Sequence, residues 1–126
     1  MNLLKDLQEK SKASYLFISH DLSVVNFIAD RVCVMFLGKI CEIGNTYDIF
    51  ENPLHPYTKL LLDAIPSIEN AGRQKEMLKG EIPSPIDVPS GCRFHTRCPY
   101  CMEVCRTDEP VLSEKNGRSV ACHRVK

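Results

Sequence analysis

No G-x-x-x-x-G-K-[ST] loop occurs anywhere in these 126 residues. The chain therefore lacks the backbone cradle and the lysine with which such a loop grips nucleotide phosphates. An excess of either charge is missing too: Lys plus Arg is 16 and Asp plus Glu is 16. Nothing global draws the chain to nucleic acid or anionic lipid. The longest apolar run, Val32 to Leu37, is far too short to span a bilayer, and no basic n-region precedes an apolar h-region at the N-terminus. These absences read as a soluble, non-secreted protein, and no internal repeat suggests a solenoid.

What is present suits one ordinary domain, with 44% hydrophobic residues to bury a core. Seven cysteines is an odd number, and an exported disulfide framework normally uses an even one. In a reducing compartment the clustered thiols point toward metal. They concentrate in GCRFHTRCPYCMEVC, residues 91–105, with Cys122 beyond. The tail is mildly basic: residues 92–126 carry 7 basic and 4 acidic side chains, against 9 and 12 in residues 1–91.

Along the chain, Leu3, Leu4 and Leu7 predict an amphipathic helix over Asn2 to Lys12. The run Tyr15 to Ile18 predicts a strand buried on both faces of a parallel sheet. Asp21 is placed to N-cap the next helix, which presents Leu22, Val25, Phe27 and Ile28 on its apolar side. Arg31 to Leu37 and Ile40 to Gly44 predict a hairpin, with Gly38-Lys39 as a type II′ turn. A short helix over Asn45 to Glu51 follows, then one over Tyr57 to Ile65 with Pro56 in its first turn. Residues 68–80 are polar and weakly periodic, and Pro83, Pro85 and Pro89 make an extended linker. The cysteine-rich segment has too few large apolar residues for a core of its own and needs an external staple.

Ser19-His20-Asp21 lies at the carboxyl end of the expected strand, where open α/β sheets place ligands. His20 can donate to a phosphate oxygen there, or be an ordinary loop side chain beside a capping Asp21. The three residues do not make a hydrolase triad, because consecutive side chains diverge. Asp48, Glu51 and Asp63 read as solvated helix faces.

The run YLFISHDLSVVNFIADRVCVMFLGKICEIGNTYDIFENPLHPYT resembles ATP-binding subunits of ABC transporters that import oligopeptides and dipeptides. In that family the ISHD histidine is the switch residue that contacts the γ-phosphate, which assigns His20 a catalytic and nucleotide-binding role. Leu54-His55-Pro56-Tyr57-Thr58 marks the peptide-importer branch, and a helix-start role suits His55. The family often ends in GCxFxxRCPxxxxxCxxxxP and AC, matched by Cys92, Cys98, Cys105 and Cys122. Some members carry a [4Fe–4S] cluster on these cysteines. Their spacing, C-x5-C-x6-C-x16-C, does not fit the paired knuckles of a zinc ribbon. Zn²⁺, with His95 or His123 substituting, and no metal at all remain the alternatives. Cys101 stands outside the family pattern as a replacement ligand or a spare thiol. Cys33 and Cys41 read as packing residues.

The resemblance implies an α/β fold: the C-terminal fragment of a P-loop ABC ATPase domain, with a parallel-strand remnant, a hairpin and helices, plus a small irregular cysteine-rich extension. Residues 1–52 are expected to belong to the ATP-binding domain, 53–90 to the peptide-importer extension and linker, and 91–126 to the cluster-binding tail. The implied function is to energise peptide import across the cytoplasmic membrane, using ATP and Mg²⁺. The implied partners are a sibling ATP-binding subunit, transmembrane permease subunits and, indirectly, a peptide-binding protein, with no nucleic acid. The expected location is cytoplasmic, peripheral on the inner face of the cell membrane. The ABC signature and the Asp-Glu-ended strand are absent along with the phosphate loop, so this chain alone is expected not to hydrolyse ATP, and Met1 reads as the start of a truncated reading frame. The rival is a small stand-alone iron–sulfur or zinc protein for electron transfer or protein binding.

Overall fold

A computed structural model describes residues 2–65 and 83–125. The polar stretch 68–80 read above lies outside the described residues. Helix α1 spans Asn2–Ser11. Helix α2, Leu22–Ile28, begins where Asp21 Oδ1 accepts the Ser23 and Val24 amides at 3.0 and 3.2 Å. This is the capping role its position predicts. Strand β1 covers Arg31–Phe36 and β2 covers Lys39–Asn45. Asn45 Oδ1 accepts the Asp48 amide at 2.8 Å and starts α3, Thr46–Glu51. Helix α4, Pro56–Asp63, has proline in its first turn and His55 as its cap, with Nδ1 accepting the Tyr57 amide at 3.0 Å. In the tail come a 3-10 turn, His95–Arg97, then α5, Val104–Thr107, and strands β3, Ser113–Lys115, and β4, Arg118–Val120.

The four strands form one antiparallel sheet in the order β1-β2-β4-β3. The expected parallel strand at Tyr15–Ile18 is corrected: these residues belong to no strand, and Leu16 and Ile18 are 93% and 90% exposed. A strand buried on both faces needs neighbours for its backbone hydrogen bonds. The described sheet gives this run none. The fold is therefore a small α/β arrangement on an antiparallel sheet, and no parallel strand pair occurs among the described residues.

The β1–β2 turn also differs from expectation. Its linking residues are Leu37 and Gly38, both at positive φ (46° and 76°), the requirement of type I′ rather than II′. The second hairpin, β3–β4, uses Asn116-Gly117 in the same way, with φ of 53° and 75°. A register shift between Val34 and Met35 leaves Cys41 as the extra residue of a bulge.

Alternation along β1 turns Val32, Val34 and Phe36 inward. Cys41, Ile49 and Phe94 complete the buried cluster. Cys33 is exposed, so the packing reading holds for Cys41 and not for Cys33. Phe94 makes the tail part of the same core: its ring lies 5.3 Å from both Phe36 and Tyr57. Each such buried aromatic contributes about 1.5–3 kcal/mol. The core that the tail could not build alone is shared with the hairpin.

Candidate functional site

Local backbone bonds wind residues 91–105 into a tight spiral. Gly91 has φ of 66°, and a Cβ there would come within 2.5 Å of the Cys105 carbonyl oxygen. Only glycine lets the two segments approach this closely. The approach is closed by the Cys92 amide donating to Cys105 O at 2.8 Å and by Ser90 Oγ donating to Arg106 O at 2.8 Å. His95 N donates to Cys92 O, and Cys98 N to His95 O, which makes the 3-10 turn. Cys122 arrives from the other direction, after β4, where the Ala121 amide donates to Cys41 O at 2.9 Å.

The result is that Cys92, Cys98, Cys105 and Cys122 line one small, almost wholly apolar cavity, floored by His55 and Phe94. Burial pushes the Cys98 thiol up to about 11, with the neighbouring thiols adding to it and a hydrogen bond from the Tyr100 amide opposing it. The Cys92 thiol is raised for the same first reason, and the Phe94 amide opposes it. At Cys92 and Cys98 a thiophilic cation would reverse this, because it supplies the charge that burial denies. In kind, four thiols on one wall are the donors such a centre uses. Among the described residues, however, no three His, Cys, Asp or Glu side chains close on a single point as a ligand set. The four thiols share a wall without forming a finished cage.

His95 and His123 reach the cavity wall but spend one ring nitrogen each on backbone. His95 Nδ1 pairs with Cys92 O at 2.9 Å, and His123 Nε2 with Asp108 O at 2.8 Å. Cys101 is not on that wall, although its thiol is near enough to raise Cys92 and Cys98 electrostatically.

His20 stands apart from the cysteines, exposed in the bend before α2. Its backbone is fixed on its C-terminal side, since the Asp21 amide donates to Ser19 Oγ at 3.0 Å while the Asp21 carboxylate caps α2. The imidazole is thus presented to solvent from a short, hydrogen-bonded step.

One group escaped the sequence reading. Glu42, fully buried, accepts the Leu54 amide at 3.0 Å and the His55 amide at 2.9 Å. Arg118 from β4 lies 3.6 Å from its carboxylate and donates to the Asp48 and Asn52 carbonyls at 2.8 and 2.6 Å. This ion pair ties the hairpin, the start of α4 and the tail strand together, and so holds the cysteine wall against His55. Nothing in the strand Ile40 to Gly44 by itself marks Glu42 as buried; the Asn116-Gly117 dipeptide was the available signal that another strand would cover it.

Comparison with known proteins bears on both sites. The profile of the family described as "Oligopeptide/dipeptide transporter, C-terminal region" matches residues 41–105. An oligopeptide transport ATP-binding protein of Bacillus subtilis, AppF, is 48% identical over 98% of this chain and 39% of its own length. A di/tripeptide transport ATP-binding protein of Pseudomonas aeruginosa, DppF, is 47% identical over 99% of this chain and 39% of its own. A dipeptide transport ATP-binding protein of Haemophilus influenzae, also DppF, is 50% identical over 99% and 39%. The chain thus spans about two-fifths of the length of the curated relatives it matches. These matches give the stand-alone metalloprotein alternative no support. Among the described residues, no helix is long and apolar enough to cross a membrane.

Proposed function

The chain belongs to the oligopeptide/dipeptide transporter family in its C-terminal region, and from that premise we propose that it serves in the ATP-hydrolysing subunit that energises import of oligopeptides or dipeptides. The observation that carries this reading is the match of nearly the whole chain, at about half identity, to peptide transport ATP-binding proteins. ATP and Mg²⁺ are the cofactors of the intact subunit. Its partners are a sibling ATP-binding subunit and transmembrane permease subunits, supplied by a peptide-binding protein, at the cytoplasmic face of the membrane.

His20 is the residue of this chain assigned to the reaction. An imidazole N–H there would donate to a γ-phosphate oxygen, where charge accumulates as the terminal phosphoryl group leaves. The Ser19 and Asp21 hydrogen bonds support this role, because they limit the freedom of the backbone that carries the imidazole. Asp21, engaged with two amides, is a cap and not a base.

The four cysteines Cys92, Cys98, Cys105 and Cys122 are assigned to a thiophilic centre, a [4Fe–4S] cluster or alternatively Zn²⁺. When bound, such a group supplies a cross-link between the spiral and the segment after β4. Convergence on one apolar wall supports the assignment, and closure onto the group requires the thiols to move inward.

The test for His20 uses a subunit of full length that carries this segment. His20→Ala is expected to retain ATP binding and to lower the hydrolysis rate by about 10²-fold, the usual cost of removing one donor to developing charge. An unchanged rate would remove His20 from the reaction.

A further inference from the structure

Cys101, the remaining thiol of the spiral, has no place in the four-cysteine wall, yet its backbone is tied to one member of it. The Cys101 amide donates to the Cys98 carbonyl at 3.3 Å, so residues 98–101 form a hydrogen-bonded turn. Pro99 occupies the position where its ring presets φ for that turn. A β-turn holds its first and last Cα atoms within roughly 7 Å, and disulfides span about 4.4–6.8 Å between Cα atoms.

The other turn residue is held as well. The Tyr100 amide bonds to the Cys98 sulfur, and the Arg124 guanidinium lies 4.0 Å above the Tyr100 ring. Both thiols are free and half-buried, so a small reagent can reach them, whereas Cys41 and Cys105 are buried. Cys98 faces the cavity and Cys101 does not, which makes Cys101 the point of entry and Cys98 the thiol that resolves.

We propose that Cys98 and Cys101 form a reversible intrachain disulfide across the Pro99–Tyr100 turn, made and broken by exchange with low-molecular-weight disulfides and thiols. The Cys101 thiolate attacks one sulfur of a disulfide RSSR, forming a Cys101–S–S–R mixed disulfide and releasing RS⁻, which takes up a proton. The Cys98 sulfur, giving up its proton, then attacks the Cys101 sulfur and expels the second R group as RSH. Two protein thiols lose two electrons and two protons, and RSSR becomes two RSH. Excess RSH reverses both steps. The pair goes beyond the transport reading and forms where the cysteine wall holds no metal, because the Cys98 sulfur cannot serve a metal and a disulfide at once; its consequence is that oxidation withdraws Cys98 from that wall.

The experiment is a disulfide map of the 126-residue chain, stripped of metal with a chelator and incubated with excess glutathione disulfide, quenched in acid and alkylated. Cleavage after Arg97 and Glu103 isolates residues 98–103, which contain Cys98 and Cys101 and no other cysteine. The expected result is this fragment lighter by two hydrogens, unalkylated, and fully alkylated after incubation with excess reduced glutathione. In Cys101→Ser the internal link is expected to vanish, leaving Cys98 alkylated or carrying glutathione. Recovery of the wild-type fragment with both thiols alkylated, or cross-linked to peptides holding Cys92, Cys105 or Cys122, would overturn the proposal.

Discussion

The Arg118 guanidinium stands 3.6 Å from the Glu42 carboxylate, with Glu42 fully buried and Arg118 nearly so. Each partner is also bonded to backbone: Glu42 to the amides that open α4, Arg118 to the carbonyls that close α3. Removing one partner strands a buried charge, which costs about 3–5 kcal/mol. Arg118→Ala is therefore expected to lower unfolding stability by that amount in urea titrations. A loss below about 1 kcal/mol, the range of exposed pairs, would mean that water reaches the site.

His55 sets the pH response. Burial lowers its pKa to about 4 from 6.5, and a hydrogen bond to Ala121 backbone pulls weakly the other way. The unfolded chain then takes up a proton before the folded chain does, so stability falls as pH drops from about 6.5 to about 4 and levels off below. The loss is at most about 3 kcal/mol, at 1.36 kcal/mol per unit of pKa. Chemical denaturation across that window is expected to show the slope in the wild type and a flatter profile in His55→Asn, whose side chain still caps α4. Parallel slopes would exclude His55 as the cause.

The metal assignment separates the four wall cysteines from the fifth. Purified without oxygen, the chain is expected to carry iron and sulfide, or zinc, and Cys92→Ser or Cys122→Ser is expected to lose it. Cys101→Ser is expected to keep it. Metal analysis showing loss only in the Cys101 variant would exchange Cys101 for one of the assigned ligands.

Local chemistry explains what could be read in advance. Asp21 and Asn45 mark helix starts by accepting amides within a few residues, and Pro56 marks one by its preset φ and missing N–H; each element lies where those residues put it. The hairpin β1–β2 was legible from two apolar runs around a glycine, but its turn type was not, because a leucine at positive φ breaks the usual preference. What depended on distant partners was misread or missed. Tyr15–Ile18 has the composition of a buried strand and no described neighbour to pair with. Strands β3 and β4 are three residues each, and their polar sequences, Ser-Glu-Lys and Arg-Ser-Val, hide an inward-facing Arg118. Their Asn116-Gly117 turn was visible; their destination beside β2 was not. For the cysteines, the choice of four came from the family resemblance and not from their spacing, and those four line one cavity wall. Closure into a ligand set does not follow from spacing and is not reached among the described residues.

If this chain works within the ATP-binding subunit of a peptide importer, peptide uptake depends on it. The chain is exchanged for the matching two-fifths of the Bacillus subtilis oligopeptide transport ATP-binding protein, and ATP-dependent uptake of a labelled oligopeptide is measured in cells lacking the native subunit. Uptake is expected to be restored, and to be lost in His20→Ala. A chimera that accumulates, binds ATP and assembles with its permease but moves no oligopeptide would contradict that role.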